Sequence, residues 1–556
     1  MSRFLAVLVF IASVSAAPQT TDKLNAESKR STPGGASFTA PAGWPVRTDV
    51  SMVVLDAPEG DSHLAIVDVR AADAAAAVKS AWATYKPDFK RPLKLMSPLP
   101  ARDGWEERKN FDYETSPNER AVVQARAARV GDKWTVVLLD GTEPTFEKRG
   151  SQFGLIVGSL RPKGYERENF ASRKAMSLNP ERVAEIKAFV ETSMKKLGVP
   201  GVSLALVDNG RVVFEGGFGV RELGKPEPVD ANTLFMAASN TKGMTTLLLS
   251  RLADEKKLRW DQPVTELYPQ FKLGSAETTK QVLVKHLVCA CTGLPRQDLE
   301  WLFEFKNASP ESSMKLLGTM QPTSKFGEVF QYSNLMAAAA GYIGAHLYDP
   351  KRDLGTAYDE AMQKLIFAPL GMNSTTFDYA RALKGNHASP HSDDVNGTPR
   401  LASMSFNYSI MAHRPAGGVW TSAHDLIRYV QLELSRGRLP NGKQLVSEEN
   451  LLARRAPQIS TGENQSYGMG LSIDKTWGVT VVHHGGSMAG FKSDLLFLPD
   501  QGMGAVLLTN SDEGGMMLRP FLRRFLEVVF DGKPEAVGNI DASAANQKAA
   551  LAKERE

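Results

Sequence analysis

The chain has 556 residues, 42% hydrophobic, 23% charged and 8% aromatic, a globular composition too long for one core and long enough to fold without metal or disulfide staples. With 66 Lys+Arg against 62 Asp+Glu the net charge is +4, and no run of like charges concentrates it, which argues against nucleic acid as a partner.

Arg3, the apolar residues 4–12 and the small residues Val14, Ser15, Ala16 and Ala17 read as a signal peptide over 1–17, cut after Ala16 or Ala17. An exported protein, periplasmic or secreted, is expected. The apolar stretch is shorter than the roughly 20 residues of a bilayer-spanning helix, and no later segment reaches that length, so no membrane span is expected after removal. Residues 18–36 are polar and rich in Ser, Thr, Lys and Pro, a composition that predicts a flexible leader.

From 37 to 163, segments 52–55, 64–69, 122–128 and 134–139 predict strands, and 72–85 and 146–160 predict helices. Together they make a smaller α+β domain. Residues 164–178 are polar and are expected to be a linker. Asn179-Pro180-Glu181 is a helix start, followed by the apolar stripe Val183, Ile186, Phe189, Val190 and Met194. Strands 202–207 and 211–219 flank Asp208-Asn209-Gly210, a hairpin turn. At the far end, 479–482, 493–498 and 504–509 predict three more strands and 517–530 a closing helix, while the alanine-rich 335–347 predicts a buried helix. Sheet segments at both ends of 179–535 around a helix-rich middle imply an antiparallel sheet with an inserted helical lobe and a cleft between them. Residues 536–556 read as a polar tail. Cys289 and Cys291, two apart, cannot staple distant segments and are expected as two buried, reduced thiols.

Three elements carry chemistry. In Ser239-Asn240-Thr241-Lys242, Ser and Lys share one helical face at the start of an apolar helix, so that a desolvated amine can take the hydroxyl proton. The chain has the same spacing at Ser193/Lys196, Ser312/Lys315 and Ser472/Lys475, but only Ser239 opens a long apolar helix. Next, Gln331-Tyr332-Ser333-Asn334 lies at the entry to the alanine-rich helix; Tyr332 can relay a proton, and Asn334 can bind an amide or orient Lys242. Read by themselves, these are a buried tyrosine and a turn cap. Last, His483-His484-Gly485-Gly486-Ser487 follows a strand, and glycines ending a strand let a ligand approach the backbone.

In this order the three elements resemble the serine β-lactamase and penicillin-binding protein superfamily, closest to its class-C-like branch of β-lactamases, carboxylesterases, D-aminopeptidases and D-alanyl-D-alanine peptidases. Flanking text agrees: Pro200-Gly201-Val202-Ser203, Thr292-Gly293-Leu294-Pro295, Pro369-Leu370-Gly371-Met372 and Ala416-Gly417-Gly418-Val419-Trp420. Phe38, Pro41, Gly43 and Trp44 are similar to the opening of a PsbP/Mog1-like domain. The main resemblance implies that Ser239 is the acylated nucleophile, Lys242 its base, Tyr332 the proton relay and Asn334 a contact to a substrate amide or to Lys242. His484 takes the place of the family's Lys or His beside Gly485, Gly486 and Ser487, and the N–H groups of Ser239 and Ser487 form the oxyanion hole. Such a serine hydrolase needs no metal or organic cofactor, and its substrate is a small acyl compound, a peptide or a β-lactam. His484, mostly neutral near pH 7, tilts the expectation toward esterase, amidase or D-aminopeptidase. The alternative is a non-catalytic receptor for peptidoglycan or β-lactams in the same cleft. An α/β-hydrolase is excluded by the lack of Gly-x-Ser-x-Gly and a zinc hydrolase by the lack of His-Glu-x-x-His. The sequence sets no oligomeric state.

Overall fold

A computed structural model describes residues 21–554; the signal-peptide reading lies outside them. Among the described residues no helix is long and apolar enough to cross a membrane.

The N-terminal part is an antiparallel sheet of eight strands in the order Thr21–Lys23, Pro45–Thr48, Met52–Asp56, His63–Arg70, Lys133–Thr142, Ala121–Val130, Glu107–Tyr113 and Leu93–Leu99. Helix Ala74–Tyr85 buries Ala77, Val78 and Trp82 against one face, and helix Gly150–Ser159 buries Phe153 and Ile156 against the other. Three expectations are corrected here. The leader is not free chain: Thr21–Lys23 joins the sheet and Ser28–Ser31 pairs with Ser37–Ala40. The single helix expected over 146–160 is two, Glu143–Lys148 and Gly150–Ser159, broken at Arg149. The expected linker is packed: Phe170 is fully buried, its N–H donates to the Trp477 carbonyl at 2.8 Å, and Glu168 accepts from Arg523 at 2.7 Å.

Asn179 caps helix Pro180–Leu197, accepting from the Arg182 N–H, and Gly198 ends it at φ 70°, a left-handed conformation that glycine adopts without steric cost. The second sheet also has eight antiparallel strands, in the order Arg211–Gly219, Gly201–Asp208, Met503–Thr509, Phe491–Leu498, Val481–Met488, Ser472–Asp474, Gln465–Tyr467 and Ile459–Gly462. Strands from both ends of the domain therefore meet in one sheet, with the helical lobe inserted between them, as the sequence pattern implies. Helices Pro180–Leu197 and Gly515–Phe530 cover one face. Helix Ala423–Leu434 covers the other and joins it to the core around helix Thr241–Asp254. The expected polar tail is instead helix Ala536–Glu554, seated on the closing helix by Ala536 and Ile540.

Helix Thr241–Asp254 is anchored by a buried ion pair. Arg454, fully buried, donates to the Gly243 carbonyl at 2.8 Å and pairs with Glu433, which also accepts from Arg455 at 2.5 Å. Burial alone would raise the Glu433 carboxyl; the two guanidinium groups outweigh it and hold it below its usual range. Glu433→Ala leaves Arg454 buried without its partner, so urea denaturation should show a loss of about 3–5 kcal/mol. A loss below about 1 kcal/mol would mean that water reaches the site.

Candidate active site

The turn before the helix sets the serine. Ala238 has φ 48°, a left-handed backbone that costs a residue with a side chain about 1–2 kcal/mol. The surroundings impose it. Asn240 Nδ2 donates to Ser493 Oγ at 2.8 Å, and that hydroxyl donates to the Ala237 carbonyl at 2.8 Å. Thr241 Oγ1 donates to the Ala238 carbonyl at 2.6 Å, and the Ala237 N–H reaches the Val419 carbonyl at 3.0 Å. Ser239 is thereby presented half-exposed at the head of the helix.

Lys242 stands one turn on, 1% exposed, with Nζ 3.1 Å from Ser239 Oγ. The amine donates to Asn334 Oδ1 at 2.8 Å and to the Ala416 carbonyl at 2.6 Å. Burial pushes its pKa well below 10.5; Asp298 opposes that shift and Arg296 adds to it. In its neutral form the amine has two N–H donors; these two acceptors would use both and leave the lone pair for the Ser239 hydroxyl. Asn334 enters from the first turn of helix Asn334–Tyr348, and Asp298 fixes its amide: both carboxylate oxygens accept from Asn334 Nδ2, at 3.0 and 3.1 Å, so Oδ1 must face Lys242.

Tyr332 lies across Lys242, with Nζ 4.7 Å from its ring centroid and the Arg296 guanidinium 5.5 Å away. Burial raises its hydroxyl pKa, and hydrogen bonding to Ser239 offsets part of the rise. The third element departs from expectation, because the glycines lie inside strand Val481–Met488 and do not end it. Gly486 is needed there: a Cβ would stand 2.3 Å from the Ala237 carbonyl oxygen and from Ser493 Oγ. Strand Ser472–Asp474 pairs only with residues 481–483, so the edge of Gly485, Gly486 and Ser487 toward the cleft lacks a strand neighbour among the described residues, and Gly485 and Ser487 are exposed. His484 is buried, its Nε2 2.9 Å from the Tyr467 hydroxyl and its Nδ1 2.7 Å from the Gly485 carbonyl. Burial pushes its pKa down to about 3. It is a neutral ring that offers no cation to a substrate.

The structure thus brings Ser239, Lys242, Tyr332, Asn334 and His484 around one point. The other Ser-x-x-Lys pairs do other things: Ser193 donates to the Phe189 carbonyl, Ser312 caps a short helix with Ser309, and Ser472 sits in a strand. Sequence reading missed Asp298, Tyr467 and the Ala416 carbonyl. The last lies in the Ala416-Gly417-Gly418 text already noted, whereas Asp298 has no signal beyond following Thr292-Gly293-Leu294-Pro295. Asp298→Ala should lower kcat about 10- to 100-fold by freeing the Asn334 amide. Because Asp298 raises the Lys242 pKa, its loss should also move the acidic limb of the kcat/KM profile to lower pH. An unmoved limb would remove Asp298 from the network.

Cys289 and Cys291 are not thiols but a disulfide, with Cα atoms 5.2 Å apart, inside the usual range. Ala290 between them has φ 55°, which folds the chain back on itself and brings both side chains to one side. The Ala290 carbonyl accepts the Gln331 N–H at 2.8 Å, one residue before Tyr332.

The family model Beta-lactamase matches residues 186–526, more than half of the chain. Protein flp of Staphylococcus aureus (strain MW2) is 25% identical over 327 residues, 59% of this chain and 62% of that protein. Unguisins hydrolase ungD' of Aspergillus campestris is 25% identical over 346 residues, 58% of this chain and 60% of that protein. The match therefore spans about three fifths of these relatives' length. Among solved structures, an octameric penicillin-binding protein homologue from Pyrococcus abyssi superposes with TM-score 0.55 at 25% identity, over 64% of this chain and 78% of that one. A β-lactamase/D-alanine carboxypeptidase from Pseudomonas syringae superposes with TM-score 0.51 at 19% identity, over 64% of this chain and all of that one, a likeness of fold.

Proposed function

The chain belongs to the beta-lactamase family, and from that premise we propose that it is an exported serine hydrolase that cleaves an ester or amide through a covalent acyl-Ser239 intermediate. One observation carries this reading: a buried Lys242 amine whose two N–H donors are taken by Asn334 and Ala416, 3.1 Å from the Ser239 hydroxyl. As Ser239 Oγ bonds to the substrate carbonyl carbon, its proton passes to Lys242 Nζ. The carbonyl oxygen becomes an oxyanion held by the N–H groups of Ser239 and Ser487. Collapse expels the alcohol or amine, which takes a proton by way of Tyr332. Water then adds to the acyl-enzyme, giving up its proton along the same path, and Ser239 leaves protonated with the acid as product.

The neutral His484, with no cation to offer a carboxylate, supports the ester, amide and D-aminopeptide branches over the carboxypeptidase branch. The hydrolase name of the fungal relative supports hydrolysis. The disulfide supports an oxidising compartment, where such bonds persist; a mature chain beginning at Ala17 or Pro18 would agree with export. The test is turnover of a short-chain aryl ester, a D-amino acid anilide and a penicillin. Hydrolysis of the ester or anilide supports the proposal. Saturable binding of all three with no turnover would favour a receptor in the same cleft.

A further inference from the structure

The segment that delivers Tyr332 and Asn334 is gripped from the other domain. Arg149, at the break between helices Glu143–Lys148 and Gly150–Ser159, is 3% exposed. Its guanidinium donates through Nε to Glu59 at 2.6 Å, through Nη1 to Gln152 at 2.9 Å and through Nη2 to Glu328 at 2.8 Å. Glu59 and Gln152 belong to the N-terminal domain, whereas Glu328 precedes Tyr332 by four residues. The second Glu328 oxygen accepts the Lys325 N–H at 3.0 Å and closes the turn there. From that turn the chain runs on under tight control. The Gly327 N–H donates to the Cys291 carbonyl at 2.7 Å and the Gln331 N–H to that of Ala290 at 2.8 Å, and the Gln331 side chain is held by Thr323 and Ser324.

A second grip reaches the opposite wall. Arg161 and Arg167 both pair with Glu463, at 3.3 and 3.1 Å, in the turn between Ile459–Gly462 and Gln465–Tyr467. Helix Gly150–Ser159 packs on the first of those strands. That hairpin ends in Tyr467, whose hydroxyl meets His484 and whose ring lies 6.1 Å from that of Tyr332. Phe330 packs against both tyrosines.

We propose that the N-terminal domain is a positioning element of the active site: Arg149, by clamping Glu328, sets the path of residues 325–331 and with it the place of Tyr332 over Ser239 and Lys242. Arg149 touches no reacting atom and is a positioning residue. All three guanidinium nitrogens are engaged and Arg149 is buried between two carboxylates, so the charge-assisted, directional bonds hold Glu328 in one place. A shift of about 1 Å in Tyr332 is enough to cost on the order of a hundredfold in rate. The inference rests on the proposed role of Tyr332, so Ser239→Ala serves as the reference: if that variant keeps its turnover, the mechanism falls and not the clamp.

The test uses the full chain and the ester or anilide that it turns over best. Glu328→Gln leaves the Arg149–Glu59 pair in place, and Arg149→Met keeps the bulk of the side chain; each should lower kcat at least tenfold with KM changed less than threefold. Arg149→Lys should restore part of the loss. The double variant Arg149→Met/Glu328→Gln should be no slower than the slower single variant, because both break one contact. Melting temperatures taken alongside identify any variant that is only less stable. Single variants within twofold of wild-type kcat, or a double variant whose losses multiply, would overturn the clamp and leave the Arg149–Glu328 bond a domain-joining contact alone.

Discussion

Replacing Ser239 by alanine should abolish turnover, with a fall of about 10⁴- to 10⁶-fold in kcat. The half-exposed Ser239 hydroxyl holds no part of the core together: the turn is fixed by Asn240, Thr241 and Ser493, and the helix by Arg454. Ser239→Ala should therefore unfold at the same urea concentration as wild type while losing the hydroxyl proposed to bond the acyl carbon. What residual rate remains would come from the oxyanion donors and from binding, as in other hydrolases stripped of their nucleophile. A variant that retains even a tenth of the wild-type rate would remove Ser239 from the chemistry.

Lys242→Met should be nearly as damaging, about 10³-fold or more in the acylation rate, because the serine then has no base within reach. Methionine fills the same volume but leaves Asn334 Oδ1 and the buried Ala416 carbonyl without their donor, so urea denaturation should show a loss of about 1–3 kcal/mol, read separately from the rate. Lys242→Arg should fail as well. A guanidinium keeps its charge and has no lone pair to accept a proton. The pH dependence has a definite sign: the amine must be neutral to act, and burial lowers its pKa, so activity should fall as pH drops through that lowered value. The raised Tyr332 hydroxyl pKa keeps the relay protonated across the neutral range. Wild-type burst kinetics in Lys242→Met would show that another group is the base.

Local pattern carried most of what was legible beforehand. Ser239 and Lys242 are one helical turn apart, so their meeting follows from spacing alone, and Asn179, Gly198 and the Asp208-Asn209-Gly210 turn announce their helix and hairpin. Tyr332, Asn334 and His484 come together only through topology, and it was their order along the chain, more than any periodicity, that connected them. The strands Leu93–Leu99 and Glu107–Tyr113 escaped notice because they bury almost nothing; in the second only Phe111 is buried, so the usual alternation is absent. The break at Arg149 falls in the polar stretch Glu147 to Gln152, and Phe146 and Phe153 on either side of it, seven residues apart, keep a helical spacing that hides it. The disulfide depends on the φ of Ala290, a conformation that alanine does not advertise. Asp298, 36 residues before Asn334, meets it through a loop, and no spacing rule reaches that far.

The most direct test of the account is the site of acylation. Wild-type protein exposed to a fluorophosphonate or a slow aryl ester, then digested and mapped by mass spectrometry, should carry a single adduct on the peptide containing Ser239. Ser239→Ala should carry none, and Lys242→Met should label far more slowly. An adduct on any other residue, or equal labelling of wild type and Ser239→Ala, would contradict the mechanism.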